Sequence, residues 1–334
     1  MAREDILALA EPDAETAEAL KSFPQMPANT DISFWKKMED ARRPQIYAMM
    51  GPIPSSITET DHSVPMRDGH SITIRSYTPV NPPQGGSPLI VMYHGGGFCL
   101  GGLESETPNC RAFAAQIGAV VLNVDYRLAP DHPFPTPVND AYDAFKWAAE
   151  NAEALNATPE AGFIVAGVSA GGNLASVVAH LSRNESIFPP LSGQYLSVPV
   201  LIPHEAVPPK YQPEYLSWSQ NSSGGGVLPA PLVQMFETNH NPDVESPLFA
   251  TFNDPNGHAG LPKAYFQICG ADPYRDDAVI YSRVLKEECG VDTRVDVYKG
   301  LPHMFWQMMP GLKQSVQWRT DSVEGVRWLL NGGK

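Results

Sequence analysis

The chain has 334 residues, of which 43% are hydrophobic and 18% are charged, and it carries a formal net charge of −14 at pH 7. This length and composition fit one large globular domain, or such a domain with an elaborated cap. Because so acidic a surface repels phosphate backbones, we expect no nucleic-acid partner.

The beginning of the chain has no continuous apolar run of the kind found in secretory signals, and no stretch approaches the length of a membrane-spanning helix. We therefore expect a cytoplasmic protein with no membrane partner. The four cysteines follow no CxxC spacing. This arrangement predicts neither a metal site nor a disulfide framework.

Residues 1–60 carry apolar side chains at loosely helical spacing, including Phe34, Trp35 and Met38. We interpret this stretch as an N-terminal cap segment that precedes the first convincing strand. Two readings of its apolar stripe are equally open. It packs into a core, or it forms a lid over a pocket, for which methionine-rich surfaces are well suited.

Strands and helices alternate over the remainder, residues 61–334, which we interpret as the catalytic domain. The predicted strands are Ser71–Tyr77, Leu89–Tyr93, Ala119–Val124, Phe163–Ala166, Leu196–Leu201, Ala264–Ile268 and Arg294–Tyr298. The predicted helices are Cys110–Ile117, Val138–Asn151, Leu174–Leu181, Ala278–Glu288 and Gln314–Leu330. This alternation predicts an α/β fold, with a mostly parallel sheet covered by helices on both faces.

One interval, residues 203–260, interrupts the alternation. It is rich in Pro, Ser, Gly and Asn, with aromatic residues between them. Such a length is unusual for a plain loop in a compact domain. Its place between two strands predicts a functional insertion that forms a second piece of the cap.

The sequence Gly167-Val168-Ser169-Ala170-Gly171 lies between a predicted buried strand and a predicted helix. A serine at such a turn is typical of a nucleophile elbow, in which glycines allow a tight bend. The amides at the start of the helix would face a developing oxyanion. Taken alone, the pattern also fits an ordinary turn with a surface serine.

A glycine run, Gly95-Gly96-Gly97, follows His94 at the end of another predicted strand. Gly96 and Gly97 are the principal candidates for oxyanion-hole donors, with Gly95 as a third and the amide of Ala170 completing the hole. A phosphate cradle is disfavoured, because neither GxxxxGK[ST] nor a GxGxxG fingerprint is present. We expect His94 to hold the loop through its ring.

A nucleophilic serine needs a base and an acid to orient that base. In α/β-hydrolase order both follow the serine, with the histidine last. His303 comes shortly after the last predicted strand, and Asp272 follows the strand before it. Asp276 and Asp277 fit the first turn of a helix, where acidic groups are structural.

Several motifs together resemble the hormone-sensitive-lipase-like esterases of the α/β-hydrolase fold, over roughly residues 65–330. They are HGGGF at 94–98, YRLAPDHPFP at 126–135, GVSAGGN at 167–173, DPYRDDA at 272–278 and the late His303. The resemblance implies a Ser169–His303–Asp272 triad and an oxyanion hole from the glycine loop and Ala170. It also implies a cap built from the N-terminal helices and the insertion, and no cofactor.

Further residues are interpreted against this resemblance. A structural polar network beneath the site is expected from Asp125, Tyr126, Arg127 and Asp140. Val168 stands where the family usually has Asp, and Met304 stands where Gly is common. We expect both departures to bear on the choice of substrate more than on the mechanism.

The main hypothesis is a serine carboxylesterase that acts on small to medium esters through an acyl-enzyme. The first alternative is a specialised-metabolite hydrolase or cyclase with the same triad, acting by deacetylation or lactone opening. The second is a small-molecule receptor on a hydrolase fold, although such relatives usually lose a triad member. An exposed edge at the last strand leaves a homodimer open.

Overall fold

A computed structural model describes residues 3–23, 29, 31–223 and 227–331. Parts of the sequence predictions lie outside the described residues, namely 1–2, 24–28 and 30 of the N-terminal segment, 224–226 of the insertion, and 332–334. Within the described ranges, no helix is both long and apolar enough to cross a membrane.

A single eight-stranded sheet forms the centre of the molecule. Its strands are β1 (Ile57–Pro65), β2 (Ser71–Pro79), β3 (Leu89–Tyr93), β4 (Val120–Asp125), β5 (Phe163–Val168), β6 (Gly193–Ser197), β7 (Lys263–Cys269) and β8 (Thr293–Tyr298). Their order is β1-β2-β4-β3-β5-β6-β7-β8. Strand β2 pairs antiparallel with β1 and β4, whereas the pairs from β4 to β8 are parallel. The predicted mostly parallel sheet is therefore confirmed.

Helices cover both faces of this sheet. They are α1 (Arg3–Leu7), α2 (Ala14–Leu20), α3 (Ile32–Met50), α4 (Leu103–Ile117), α5 (Thr136–Glu150), α6 (Ala170–Asn184), α7 (Ser217–Asn221), α8 (Ala230–His240), α9 (Arg275–Arg283), α10 (Phe305–Met308) and α11 (Lys313–Leu330). A π-helical turn, Val284–Glu288, extends α9. Helices α5, α6 and α9 contribute to one apolar core, and α4 and α11 to the other.

The central strands β3 and β5 are buried along their whole length. Their continuous apolar sequences fit this position, because a parallel strand between two helical layers has no solvent face. Their pairing places Tyr93 opposite Gly167. The glycine loop after β3 and the elbow after β5 therefore emerge side by side at one edge of the sheet.

Two strand predictions need correction. Strand β1 occupies Ile57–Pro65, so the last residues of the predicted N-terminal segment belong to the sheet. Strand β6 is Gly193–Ser197, and the prediction of Leu196–Leu201 was wrong. It ends there because Val198 has a φ of 42° and Pro199 has no amide hydrogen to continue the ladder.

The two predicted cap segments contact each other. Trp35 of α3 packs against Leu232 and Met235 of α8, and the partly buried Leu100 joins this cluster. Leu100 lies just beyond the glycine loop. The N-terminal helix and the insertion helix are therefore close to the C-terminal edge of the sheet.

Strand β8 is an outer strand of the sheet, as predicted. Its Val295 and Val297 are exposed. A homodimer that pairs this edge with a second copy stays a prediction.

Candidate active site

The turn between β5 and α6 holds Ser169 in a strained conformation, with a φ of 56° and a ψ of −117°. The amide of Ser169 donates to the carbonyl of Ser197 at 2.9 Å. A Cβ on Gly167 would lie 1.9 Å from the carbonyl oxygen of Gly171, and one on Gly171 would lie 2.0 Å from that of Tyr93. The close approach of backbone explains why glycine flanks the serine on both sides.

The structure brings together the three residues of the predicted triad. The Oγ of Ser169 is 2.9 Å from His303 Nε2, and His303 Nδ1 is 2.6 Å from the Oδ2 of Asp272. The three residues are at most 6% exposed. In the tautomer with the proton on Nδ1, the imidazole donates to Asp272 and accepts from Ser169.

Asp272 is held in place by its own neighbours. Its Oδ1 accepts a hydrogen bond of 2.9 Å from the amide of Tyr274. The side-chain amide of Asn221, in the insertion, donates to the carbonyl of Asp272 at 2.9 Å. The carboxylate is therefore oriented towards His303 before any substrate binds.

The glycine loop lies directly beside the elbow. A Cβ on Gly95 would lie 3.3 Å from the Cβ of Ser169, and one on Gly97 would lie 2.5 Å from the ring of Phe236. Gly96 and Gly97 have φ values of 125° and 60°. In the described part of the chain, the amides of Gly95, Gly96, Gly97 and Ala170 donate no hydrogen bond. These amides are thus free to bind an oxyanion.

The side chain of His94 holds the glycine loop in place. Its ring stacks on Tyr126 at a centroid distance of 4.2 Å, and its Nδ1 lies 2.7 Å from the carbonyl oxygen of Gly95. The Tyr126 hydroxyl donates to the carbonyl of His94 at 2.8 Å. Burial lowers the pKa of His94 to about 4. A neutral ring that donates to the loop fits the structural part predicted for this residue.

Of the polar network expected near the site, the structure joins Arg127 and Asp140. Arg127 donates to both oxygens of the buried Asp140 at 2.7 and 2.8 Å, and to Asp68 at 2.7 Å. Burial raises the pKa of Asp125 to about 6. None of these side chains lines the space beside Ser169, in line with a structural role.

A narrow cavity of about 50 Å³ opens beside Ser169. Most of its lining is apolar, and part of it is aromatic. Besides Ser169 and Gly97, the walls include Phe98, Phe236, Phe249, Tyr274, Glu237 and His240. The insertion thus supplies much of the wall that faces the nucleophile.

Sequence reasoning missed Glu237 and His240. Both lie on α8, and His240 stacks on Phe98 at 4.1 Å. Burial lowers the pKa of His240 to about 3, so the ring is neutral. The aromatic-rich composition of the insertion was the only signal, because the contacts with the site are long-range in sequence.

The two departures from the family pattern have different surroundings. Val168 is fully buried in the apolar core. Met304 has a φ of 52°, and its Cε lies 3.6 Å from the position that a Cβ on Gly95 would take. Met304 therefore lies near the glycine loop, and neither Met304 nor Val168 lines the cavity.

Asp276 and Asp277 do more than begin a helix. Asp277 accepts hydrogen bonds from the amides of Leu201 and Ile202 at 2.7 and 2.9 Å. Asp276 accepts from those of Leu216 and Ser217 at 2.6 and 2.7 Å. The two carboxylates hold the start of the insertion against helix α9. In the described residues, no cluster of His, Cys, Asp and Glu could hold a metal ion.

Comparison with known proteins identifies the family. A family model for the alpha/beta hydrolase fold matches residues 90–307. The chain belongs to this family. The resemblance to its hormone-sensitive-lipase-like branch is confirmed.

Relatives of this α/β-hydrolase cover most of its length. An AB hydrolase superfamily protein of Schizosaccharomyces pombe is 37% identical over 320 residues, which are 96% of this chain and 94% of that protein. The versiconal hemiacetal acetate esterase of Dothistroma septosporum is 34% identical over 249 residues, with 74% and 75% coverage. The crystal structure of vibralactone cyclase superposes with a TM-score of 0.90 at 31% identity, covering 98% of this α/β-hydrolase and 97% of the cyclase.

Proposed function

We propose that this α/β-hydrolase is a serine carboxylesterase that hydrolyses small to medium carboxylic esters through an acyl-enzyme intermediate. One observation carries the proposal. An unbroken path of short contacts runs from Ser169 Oγ through His303 to Asp272, beside loop amides for which the described residues provide no acceptor. Nucleophile, base, orienting acid and oxyanion donors are the four parts that acyl transfer needs.

In the first half-reaction, Ser169 Oγ attacks the ester carbonyl carbon while His303 Nε2 takes its proton. The carbonyl electron pair moves onto the oxygen, which the amides of Gly96, Gly97 and Ala170 bind. Loss of one such donor raises a barrier of this kind by about 2.7–4 kcal/mol. Asp272 keeps the imidazole in the correct tautomer and stabilises its charged form.

Collapse of this intermediate expels the alcohol, which takes the proton from His303. A water molecule then gives a proton to His303 and attacks the acyl carbon. A second tetrahedral intermediate releases the carboxylic acid and returns the proton to Ser169. The same three side chains therefore serve both halves.

The shape of the site supports a small or medium substrate. The cavity next to Ser169 is narrow, with a volume of about 50 Å³. The ring of Phe236, on α8, lies next to Gly97. Helix α3 packs on α8, and we propose that the two form a cap over the site. A short acyl chain fits such a space better than a long one.

Release of nitrophenol from p-nitrophenyl esters, from acetyl to long acyl, tests the proposal. We expect turnover that peaks at short chains and falls at least a thousandfold in Ser169→Ala. Ser176→Ala is the matched control, since Ser176 is buried on α6, the helix that follows Ser169, but does not line the cavity. Equal rates in the wild type and Ser169→Ala would refute the triad.

A second candidate keeps the triad but acts on one specialised metabolite, by deacetylation, lactone opening or cyclisation. It is favoured by the likeness to vibralactone cyclase along nearly the whole chain and by Met304 beside the glycine loop. In a cyclisation, a hydroxyl of the substrate would replace water as the second nucleophile. Activity confined to a bulky ester, with none on the p-nitrophenyl series, would support this candidate.

A receptor role is the remaining alternative. Folded wild type that turns over no ester, together with Ser169→Ala that binds the same ligand equally well, would favour it over both enzymes. The cytoplasmic location and the absence of nucleic-acid and membrane partners stay predictions.

A further inference from the structure

The cavity beside Ser169 is mostly apolar, and besides Ser169 and Tyr274 its polar lining comes from two side chains of α8. Phe236, Glu237 and His240 all line this cavity. Residues three and four apart share one face of a helix, so α8 presents Glu237 and His240 together to the space beside the nucleophile.

Among the residues that the structure describes, both side chains keep hydrogen-bonding capacity that no protein group takes up. The Glu237 carboxylate is 34% exposed, and its Oε1 lies 3.4 Å from the Nδ1 of His204, which leaves further acceptor sites on the carboxylate. The buried Nδ1 of His240 has no partner in the described part of the chain. A buried nitrogen without a partner is costly, so the position of His240 in the cavity wall points to a ligand, and the carboxylate of Glu237 offers an acceptor to the same ligand.

The chemistry of this pair selects a particular group. A carboxylate only accepts hydrogen bonds, whereas a neutral imidazole has one donor and one acceptor nitrogen. An alcohol both donates and accepts, so it can satisfy the two side chains at once. A quaternary cation has no donor, and a carboxylate would be repelled by Glu237.

We propose that Glu237, with His240, makes the enzyme prefer esters that carry a free hydroxyl group over their apolar isosteres. This inference rests on the esterase function proposed above. Glu237 touches the substrate but takes no part in bond breaking, so it is a specificity-determining residue. The apolar walls formed by Phe98 and Phe236 bind the hydrocarbon part and leave the hydroxyl to α8.

Matched substrates test the preference. Terminal hydroxyalkyl acetates of two to six carbons are compared with alkyl acetates in which methyl replaces the hydroxyl, and hydroxyacyl ethyl esters with their methyl isosteres. The two sets allow the hydroxyl to lie on the alcohol or the acyl side. We expect kcat/KM in the wild type to favour the hydroxyl member of one set by about ten- to a hundredfold, as for a hydrogen bond to a charged group.

Two variants separate recognition from packing. Glu237→Leu should abolish the preference by lowering kcat/KM for the hydroxyl member of a pair about ten- to a hundredfold more than for its methyl isostere. Glu237→Gln keeps an acceptor oxygen and should retain part of the preference. Glu245→Leu is the control, because Glu245 is an exposed acid in the same insertion that does not line the cavity.

Each contrary result has a distinct meaning. Equal turnover of both members of every pair would overturn this inference and leave the esterase intact, whereas no turnover of any ester would overturn both. A uniform fall for both members in Glu237→Leu would assign Glu237 to packing. The wild type could instead prefer trimethylammonioalkyl acetates over the hydroxyl esters, and Glu237→Gln could lose that preference. This result would mean that Glu237 recognises a positive charge and not a hydroxyl group, and it would overturn the inference.

Discussion

Glu39, on helix α3, accepts a hydrogen bond of 2.8 Å from the backbone amide of Gly101, just beyond the glycine loop. Gly101 has a φ of 99°, and a Cβ there would lie 2.4 Å from His94 Nδ1. The end of the loop is therefore clamped between His94 and the N-terminal helix. Through Glu39, a segment far away in sequence reaches the backbone that is proposed to bind the oxyanion.

We predict that Glu39→Ala lowers kcat for a short p-nitrophenyl ester by about five- to tenfold with little change in KM, because it removes one hydrogen bond that fixes the loop. Glu39→Gln should stay near wild type, since its amide oxygen still accepts from Gly101. Asp40→Ala controls for a change of charge on the same helix. A rise in KM without a fall in kcat would instead indicate that α3 acts on substrate binding.

Substitution of Asp272 should impair catalysis, whereas substitution of Asp276 should impair stability. Asp272→Asn should lower kcat about 10⁴-fold by favouring the wrong tautomer of His303, with little loss of stability. Asp276→Asn should lower the free energy of unfolding by about 3 kcal/mol, because it leaves the charge of Arg275 uncompensated in a fully buried ion pair. Kinetics and urea unfolding of both variants check this, and an inactive but stable Asp276→Asn would contradict it.

The sequence was most informative where local pattern decides structure. Strand β3 could be predicted because it is buried on both faces and is apolar throughout. The elbow could be predicted because backbone contacts at Gly167 and Gly171 exclude any side chain. The residues brought together at the site follow from the order of the strands.

Other features depend on contacts that no local pattern reveals. Strand β6 contains the polar residues Gln194 and Tyr195, so its sequence does not resemble that of a core strand. Both residues are nevertheless fully buried, and the Tyr195 hydroxyl donates to Gln267 at 2.6 Å. Strand β1 is a largely exposed outer strand with little apolar signal. Glu39 and Glu237 reach the site only through the packing of α3 and α8 near the glycine loop.

Met304 offers a test of how the pocket is shaped. Met304→Gly should raise kcat/KM for bulkier acyl groups relative to acetyl, because it removes a side chain whose Cε lies 3.6 Å from the position that a Cβ on Gly95 would take. The backbone should tolerate the change, since glycine adopts a φ of 52° without strain. An acyl-chain series with the wild type and the variant measures the effect. An unchanged profile would show that Met304 does not limit the pocket.

Glu106 should make stability depend on pH. It is fully buried, and burial raises its pKa from 4.5 to about 8, although Asn109 donates to it at 2.7 Å. The folded form therefore keeps the proton to a higher pH than the unfolded chain. This group then lowers stability progressively as pH rises from about 4.5 to about 8, at roughly 1.4 kcal/mol per unit.

We predict that Glu106→Gln, which stays neutral and retains the contact with Asn109, unfolds at a higher urea concentration than the wild type at pH 8. The gain should shrink towards pH 5, where the wild-type carboxyl is protonated in the folded state and the penalty is small. Glu150→Gln, at an exposed position on α5, controls for the loss of one charge. Parallel stability curves for the wild type and Glu106→Gln between pH 5 and 8 would contradict the prediction, because they would mean that Glu106 does not titrate differently on folding.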